Sequence, residues 1–329
     1  MKVPGHTKVF ERTNVIVGAY ATAPSLVNWG PQKEADYLRR ICALPGVDGL
    51  EVPYWGECFC RYDESVLFNQ IPSEWNNVVT VIPGIMGRML ENPTFGLASK
   101  SEHGRSLAIE LMEKVRRKIK ALVNAYPNFR CNVVSFCSAP ITESDSKVQF
   151  KRSLQEIVRW DWGEIQLVVE HCDEYRQDGS HQKGSMSLED ELMVLKDIQD
   201  QKDVDTRLGI TINWGRSVIE GRDVKTPVEH IRVAKKAGLL RGLMFSGVSK
   251  AGPYGVWSDT HAPPREVILD DTYNDGLLLD HRRIASCVSE IGDDPIEYIG
   301  IKIGAQPDNI SIAERCRLNA ESLLQLKSC

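Results

Sequence analysis

The chain has 329 residues, 42% of them hydrophobic and 26% charged, with a formal net charge of -5. That balance excludes a disordered chain and a fibre. It also leaves no basic footprint for nucleic acid. No apolar run is long enough to cross a bilayer, and the first residues, Met1 to Lys8, hold no apolar signal core. A cytoplasmic protein with no membrane or nucleic-acid partner is therefore expected.

Eight short apolar runs follow one another along the chain: Val15–Tyr20, Gly49–Pro53, Val78–Pro83, Cys131–Ser138, Ile165–His171, Leu208–Asn213, Leu243–Gly247 and Tyr298–Ile303. They are rich in Val and Ile with little alternation, as strands buried on both faces of a parallel sheet are. Their starts lie about 30 or more residues apart, which fits βαβ units and not hairpins.

Helical patterns fill the gaps. Ser106–Val123 places apolar residues at helical spacing with charges opposite. Ser187–Asp197 opens on Ser187-Leu188-Glu189-Asp190, a capping-box spacing. Pro227–Ala237 runs into Gly238, a helix stop. Ile312–Leu326 closes the chain. Eight strand–helix units predict one (β/α)8 TIM barrel over residues 1–329, with long βα loops. An open doubly wound sheet is the alternative, but no Gly-x-Gly-x-x-Gly and no phosphate-binding P-loop follows any strand.

The nine cysteines are an odd number spread through a large chain with no signal core, so a disulfide framework is not expected. Cys58 and Cys60 have no second pair nearby to complete a zinc site. Cys137 and Cys172 fall near strand ends and read as small buried hydrophobes.

Barrel chemistry lies at the C-terminal ends of the strands. Those ends place Tyr20, Glu51, Pro83, Ser138, Glu170, His171, Asn213, Ser246 and Lys302 around one mouth. Glu170 follows five strand residues and reads as an acid/base group or a metal ligand. Trp214 and Arg216 follow strand six; the first could stack on a sugar and the second pair with an anionic group, or both could be structural. Lys302 sits among apolar neighbours, where a lowered pKa would make it a base or a Schiff-base amine; an ion pair with a rim carboxylate is the alternative. Asp259 and His261 in the loop after strand seven are two apart, so in an extended segment they share a face. The glycines of Gly247–Gly255 could offer backbone N–H groups to an anion. Tyr20 and Trp55 could line the pocket, and Arg105 is a weaker candidate. His6, His103, His181, His230 and His281 read as surface or structural.

The strand order, Glu170 after strand five, the Asp259-x-His261-x-Pro263 loop and the Leu97-Ala98-Ser99…Gly104-Arg105 segment resemble the xylose-isomerase-like barrels. Ile16-Val17-Gly18-Ala19-Tyr20, Gly49-Leu50-Glu51-Val52-Pro53, Val169-Glu170-His171-Cys172-Asp173, Asn213-Trp214-Gly215-Arg216 and Leu243-Met244-Phe245-Ser246-Gly247 are similar to YihM-like sugar isomerase/epimerase relatives. The resemblance covers nearly the whole chain. It implies a sugar or sugar-phosphate partner, with a sulfosugar as a variant, and a homo-oligomer. It also implies a divalent metal held by Glu, Asp, His and Glu at strand ends.

Glu170 fits the first of those positions. Asn213, Ser246 and Lys302 stand where Asp, His and the last Glu are expected. A divalent ion beside the Lys302 ammonium would be repelled by about 4 kcal/mol per charge pair at 4 Å with an effective dielectric near 20. No certain cofactor is therefore expected; a metal, if held, would fall to Glu170, Asp259 and His261.

The leading expectation is an isomerase or epimerase with Glu170 as base and Lys302 and His261 polarising oxygens; Tyr20, Glu51, Trp55, His171, Asn213, Trp214, Arg216, Ser246 and Asp259 would bind substrate. A Lys302 Schiff-base lyase or aldolase and a non-catalytic sugar-binding barrel are the alternatives. A nuclease is disfavoured by the acidic balance.

Overall fold

The computed structural model of the chain describes residues 8–23, 29–140, 146–201 and 204–329; His6 lies outside them. Eight parallel strands close into a barrel in sequence order. They are β1 (Asn14–Val17), β2 (Gly49–Pro53), β3 (Asn77–Thr80), β4 (Cys131–Phe136), β5 (Gln166–His171), β6 (Leu208–Asn213), β7 (Leu240–Phe245) and β8 (Tyr298–Ile301). The ring is completed by β1 against β8, with Ile16 opposite Gly300.

Every expected run overlaps a strand. Five run past the end of their strand, two of them, after β3 and β1, into a helical turn. Val81 caps a helix that begins at Ile82-Pro83, a position that suits proline's fixed φ and missing N–H. After Val17 the chain turns into a short 3-10 segment, Ala19–Ala21.

The helices are α1 (Gly30–Cys42), α2 (Glu64–Phe68), α3 (Ile82–Glu91), α4 (Glu102–Ala125), α5 (Ser146–Ile157), α6 (Leu188–Gln199), α7 (Trp214–Gly221), α8 (Thr226–Lys236), α9 (Asp271–Asn274), α10 (His281–Ile291) and α11 (Ile312–Lys327). The Ser187 side chain caps α6 by accepting from the Asp190 N–H, as the spacing predicts. Among the described residues, no helix is long and apolar enough to cross a membrane.

Strand alternation sorts the core into two. Ile16, Val78, Val133, Val168, Met244 and Tyr298 pack together inside the barrel. Their neighbours of opposite parity, among them Val17, Val79, Val134, Val169 and Phe245, join the larger core shared with the helices. Full burial of such a side chain contributes about 1.5–3 kcal/mol. A Cβ at Gly242 would lie 2.5 Å from both the Tyr298 ring and Thr211 Oγ1. The glycine leaves room for the Tyr298–Thr211 hydroxyl hydrogen bond of 2.6 Å across the interior.

Candidate active site

The inward parity continues towards the C-terminal mouth. It brings Glu51 from β2, Glu170 from β5, Asn213 from β6, Ser246 after β7 and Lys302 after β8 above the apolar layer. Lys302 Nζ lies 3.1 Å from Glu51 Oε1 and 3.4 Å from Glu170 Oε1. The lysine side chain is 1% exposed, and those of the two glutamates 2% and 0%. Buried charges at this depth persist only when paired. Burial alone would lower the lysine pKa, but Glu170 and Glu51 outweigh it and hold the ammonium well above its usual value. The expected lowering of Lys302 is thus overturned, and the ion-pair alternative is the one realised.

The two carboxylates differ. Glu170 Oε1 accepts from Asn213 Nδ2 at 2.9 Å and lies 3.4 Å from Arg216 Nε, while Ser135 Oγ approaches Oε2 at 3.5 Å. Burial would raise its pKa, but Lys302, Arg216 and the Asn213 hydrogen bond bring it below the ordinary value. Glu51 is raised instead, by burial first and with Glu170 adding to it against the pull of Lys302. Its second oxygen, Oε2, is buried without a hydrogen-bond partner. Gly18 stands over this spot; a Cβ there would lie 3.0 Å from Glu51 Oε2 and 2.9 Å from Lys302 Cβ.

Asn213 and Ser246 hold this arrangement. Asn213 Oδ1 caps α7 by accepting from the Gly215 and Arg216 N–H groups, and also accepts from Ser246 Oγ at 3.1 Å. Its amide oxygen and one amide N–H are therefore engaged by the protein. Arg216, 2% exposed, has its guanidinium between Glu170, Asp259 at 3.5 Å and the Cys172 sulfur. It holds loops together and is not free to clamp a substrate anion.

Asp259 lies 3.2 Å from Lys183 Nζ, and its Oδ1 is 3.1 Å from His261 Nδ1 without the alignment of a hydrogen bond. His261 adopts φ +57, so the segment is not extended, yet both side chains reach the mouth. In the Gly247–Gly255 loop, three backbone N–H groups are already bonded within the protein. Gly247 N–H donates to Ala262, Lys250 to Gly276 and Gly255 to Gly252.

Tyr20 and Trp55 meet edge to face at 5.9 Å, with Arg61 over the Trp55 ring. Together with Glu51, Phe59 and Leu67 they line a pocket beside the mouth. Trp55 is 38% exposed and can meet a ligand.

Three expectations fail on geometry. Trp214 is fully buried in the core at the start of α7, so it cannot stack on a sugar. His171, next to inward Glu170, points outward by strand parity into the helix layer, where Glu191 and Glu220 engage both ring nitrogens. Glu170, Asp259 and His261 do not gather as metal ligands. Among the described residues, the one group of three His, Cys, Asp or Glu side chains with ligand atoms all within 4.8 Å of one another is His171, Glu220 and His230.

That outer cluster was missed from sequence. His171 Nδ1 is 2.7 Å from Glu191 Oε2 and its Nε2 is 3.0 Å from Glu220 Oε2. Burial would lower the His171 pKa, but Glu191 and Glu220 outweigh it and push it up to about 10. His230, read as structural from sequence, lies 3.4 Å from Glu220 Oε1. The nine cysteines are free; Cys137 and Cys172 are buried as expected.

A family described as "Domain of unknown function (DUF4862)" matches residues 16–318. The chain belongs to the DUF4862 family. An uncharacterized protein of Salmonella typhimurium (strain LT2) is 33% identical over 295 residues, covering 88% of this chain and 89% of its own length. Among solved structures, D-psicose 3-epimerase crystallised in the presence of D-fructose is similar, with a TM-score of 0.54 and 11% identity over 95% of this chain and 97% of that one. A xylose isomerase domain containing protein of Salmonella typhimurium LT2 gives 0.54 and 13% over 96% and 97%. The IOLI protein with a binding zinc atom gives 0.58 and 10% over 96% and 98%. At these identities the likeness shows the fold alone, a (β/α)8 TIM barrel, and none of these proteins bears the narrower YihM-like label. The mouth of the DUF4862 chain does not fit the divalent metal that the resemblance implies. The Lys302 ammonium occupies the space between Glu51 and Glu170, and Asn213 and Ser246 are tied to each other.

Proposed function

We propose that this barrel is a sugar or sugar-phosphate isomerase or epimerase in which Glu51 moves the proton and the Lys302 ammonium stabilises the oxygen that becomes negative. The observation that carries the reading is the unequal pair of carboxylates around one buried lysine. Neighbouring carboxyl groups pushed in opposite directions divide acid/base work from electrostatic support. Glu51, raised and with one oxygen unpartnered, is poised for transfer. Glu170, lowered and fully engaged, stays ionised and holds Lys302 in place.

A substrate carbonyl oxygen would approach Lys302 Nζ, with the neighbouring C–H towards Glu51 Oε2. The C–H bond breaks, its proton goes to Glu51, and its electron pair forms the enediolate C=C as the carbonyl electrons move to oxygen. Lys302 supplies the compensating charge from a buried position, its side chain 1% exposed. Return of the proton to the former carbonyl carbon isomerises the sugar, provided the hydroxyl proton on the neighbouring oxygen passes to the oxygen beside Lys302; epimerisation would need a second proton donor on the face opposite Glu51. Tyr20 and Trp55 offer the ring surface for the sugar, and His261 lies within reach of a second hydroxyl. The Schiff-base alternative is disfavoured because it needs a neutral amine.

The test is a panel of ketoses, aldoses and their phosphates incubated with the protein in deuterium oxide. Deuterium at the carbon next to the carbonyl, together with a new isomer, is expected for one member. Binding of a sugar with no exchange across the panel would favour a non-catalytic barrel.

A further inference from the structure

On the outside of the barrel wall, the end of β5 meets α6, α7 and α8 around three side chains. His171 comes from the strand, Glu220 from the last turn of α7 and His230 from α8. The Glu220 carboxylate stands between the two imidazoles, 3.0 Å from His171 Nε2 and 3.4 Å from His230 Nε2. A zinc ion with bonds of about 2.0–2.1 Å and tetrahedral angles sets its ligand atoms about 3.4 Å apart. The two contacts fall on different oxygens of the carboxylate, Oε2 for His171 and Oε1 for His230, and one ligand atom from each of the three side chains lies within 4.8 Å of the others, so a shift of the side chains brings them to that spacing. The His171 and His230 rings are 5.2 Å apart at 74°, and both Nε2 atoms approach the Glu220 carboxylate.

The surroundings match as well. Metal-bound histidines usually donate their other ring N–H to a carboxylate or a similar acceptor, which fixes the tautomer. His171 Nδ1 faces Glu191 Oε2 at 2.7 Å, and Glu191 is itself held by Ser138 Oγ at 2.6 Å. His230 Nδ1 faces Ser217 Oγ at 3.0 Å. Glu220 Oε2 also accepts from the Glu174 N–H at 2.8 Å. Each of the three candidate ligands is thus oriented by a further group. Two carboxylates, Glu191 and Glu220, face the His171 ring, and a divalent ion bound at its Nε2 would take the place of the ring proton there. Glu220 and His230 are 11% and 13% exposed, so an ion has a way in from solvent.

We infer that His171, Glu220 and His230 form a divalent-cation site of the zinc class on the outer wall of the barrel, separate from the catalytic mouth. An ion there ties β5 to α7 and α8. Because Asn213 and Arg216 at the start of α7 reach the mouth, the site positions those groups without touching substrate.

The experiment takes the full chain, dialysed against chelator and then titrated with Zn2+ by calorimetry and with Co2+ by visible absorption. One equivalent is expected to bind to the wild type and equally to Glu51→Gln, with the intense absorption of cobalt in a four-coordinate site. Binding should weaken at least tenfold in His230→Gln and Glu220→Gln, and about 10–100-fold in Glu191→Gln, which removes only the orienting carboxylate. Zinc should also raise the melting temperature of the wild type, a readout that needs no variant. Absence of stoichiometric binding to the wild type would overturn the inference. So would binding that Glu51→Gln removes and His230→Gln leaves intact, which would move the ion to the mouth.

Discussion

Lys302 and Glu51 are 251 residues apart in sequence, yet the ammonium of one lies 3.1 Å from the carboxylate of the other, both almost wholly buried. Closure of the barrel makes this contact: β8 returns to β1, and β1 pairs with β2. The pair places a fixed positive charge where the superfamily resemblance implies a metal ion.

Removing that charge should be felt in both stability and chemistry. Lys302→Met leaves two buried carboxylates facing each other. Breaking a buried pair in this way costs about 3–5 kcal/mol. Urea unfolding should show a loss of that order, and turnover should vanish. A Lys302→Met protein as stable as the wild type would mean that the two carboxylates do not depend on the lysine.

The state of the lysine has a second consequence. An ammonium held above its usual pKa does not form an imine. Borohydride treatment in the presence of a ketose should leave Lys302 unmodified by mass spectrometry. A reduced sugar adduct on Lys302 would support the lyase alternative.

Asp259 gives a pH dependence. Burial would raise its pKa, but Arg216, His261 and Lys183 outweigh it and hold the carboxyl well below the usual range. A carboxyl lowered in the folded state stabilises above its unfolded pKa of about 4 and loses that contribution as pH falls through its folded value. The wild type should therefore lose stability steeply below about pH 4, and Asp259→Asn should lose it less steeply. Equal slopes in denaturant titrations at about pH 5 and pH 3 would contradict the assignment.

The two tryptophans should separate. Trp214→Ala empties a fully buried site and should cost about 3–5 kcal/mol. Trp55→Ala should change stability little and raise the substrate KM, since the ring is part exposed beside the mouth. A Trp55→Ala enzyme with an unchanged KM would remove that residue from the substrate surface.

Much of this was legible in the chain. The eight apolar runs marked the strands, because a parallel barrel buries both faces of each. Strand ends named Glu51, Glu170, Asn213, Ser246 and Lys302, and the structure brings all five together. What the sequence did not resolve was direction and pairing. His171 adjoins Glu170, and only strand parity shows that it faces the helices. Trp214 opens a helix whose packing decides its burial. Lys302 looked like an amine in apolar surroundings, since its two carboxylate partners come from strands 132 and 251 residues away. The outer cluster depends on α6, α7 and α8 meeting β5, which no local motif records.

The central claim is that Glu51, and not Glu170, carries the proton. Its most direct test is deuterium wash-in next to the substrate carbonyl, measured for the wild type, Glu51→Gln and Glu170→Gln, each checked for folding. The account predicts a loss of about 10²–10⁴-fold in Glu51→Gln. It predicts slower but measurable exchange in Glu170→Gln, where the Lys302–Glu51 pair remains. Exchange retained in Glu51→Gln and lost in Glu170→Gln would contradict it and return the base to Glu170.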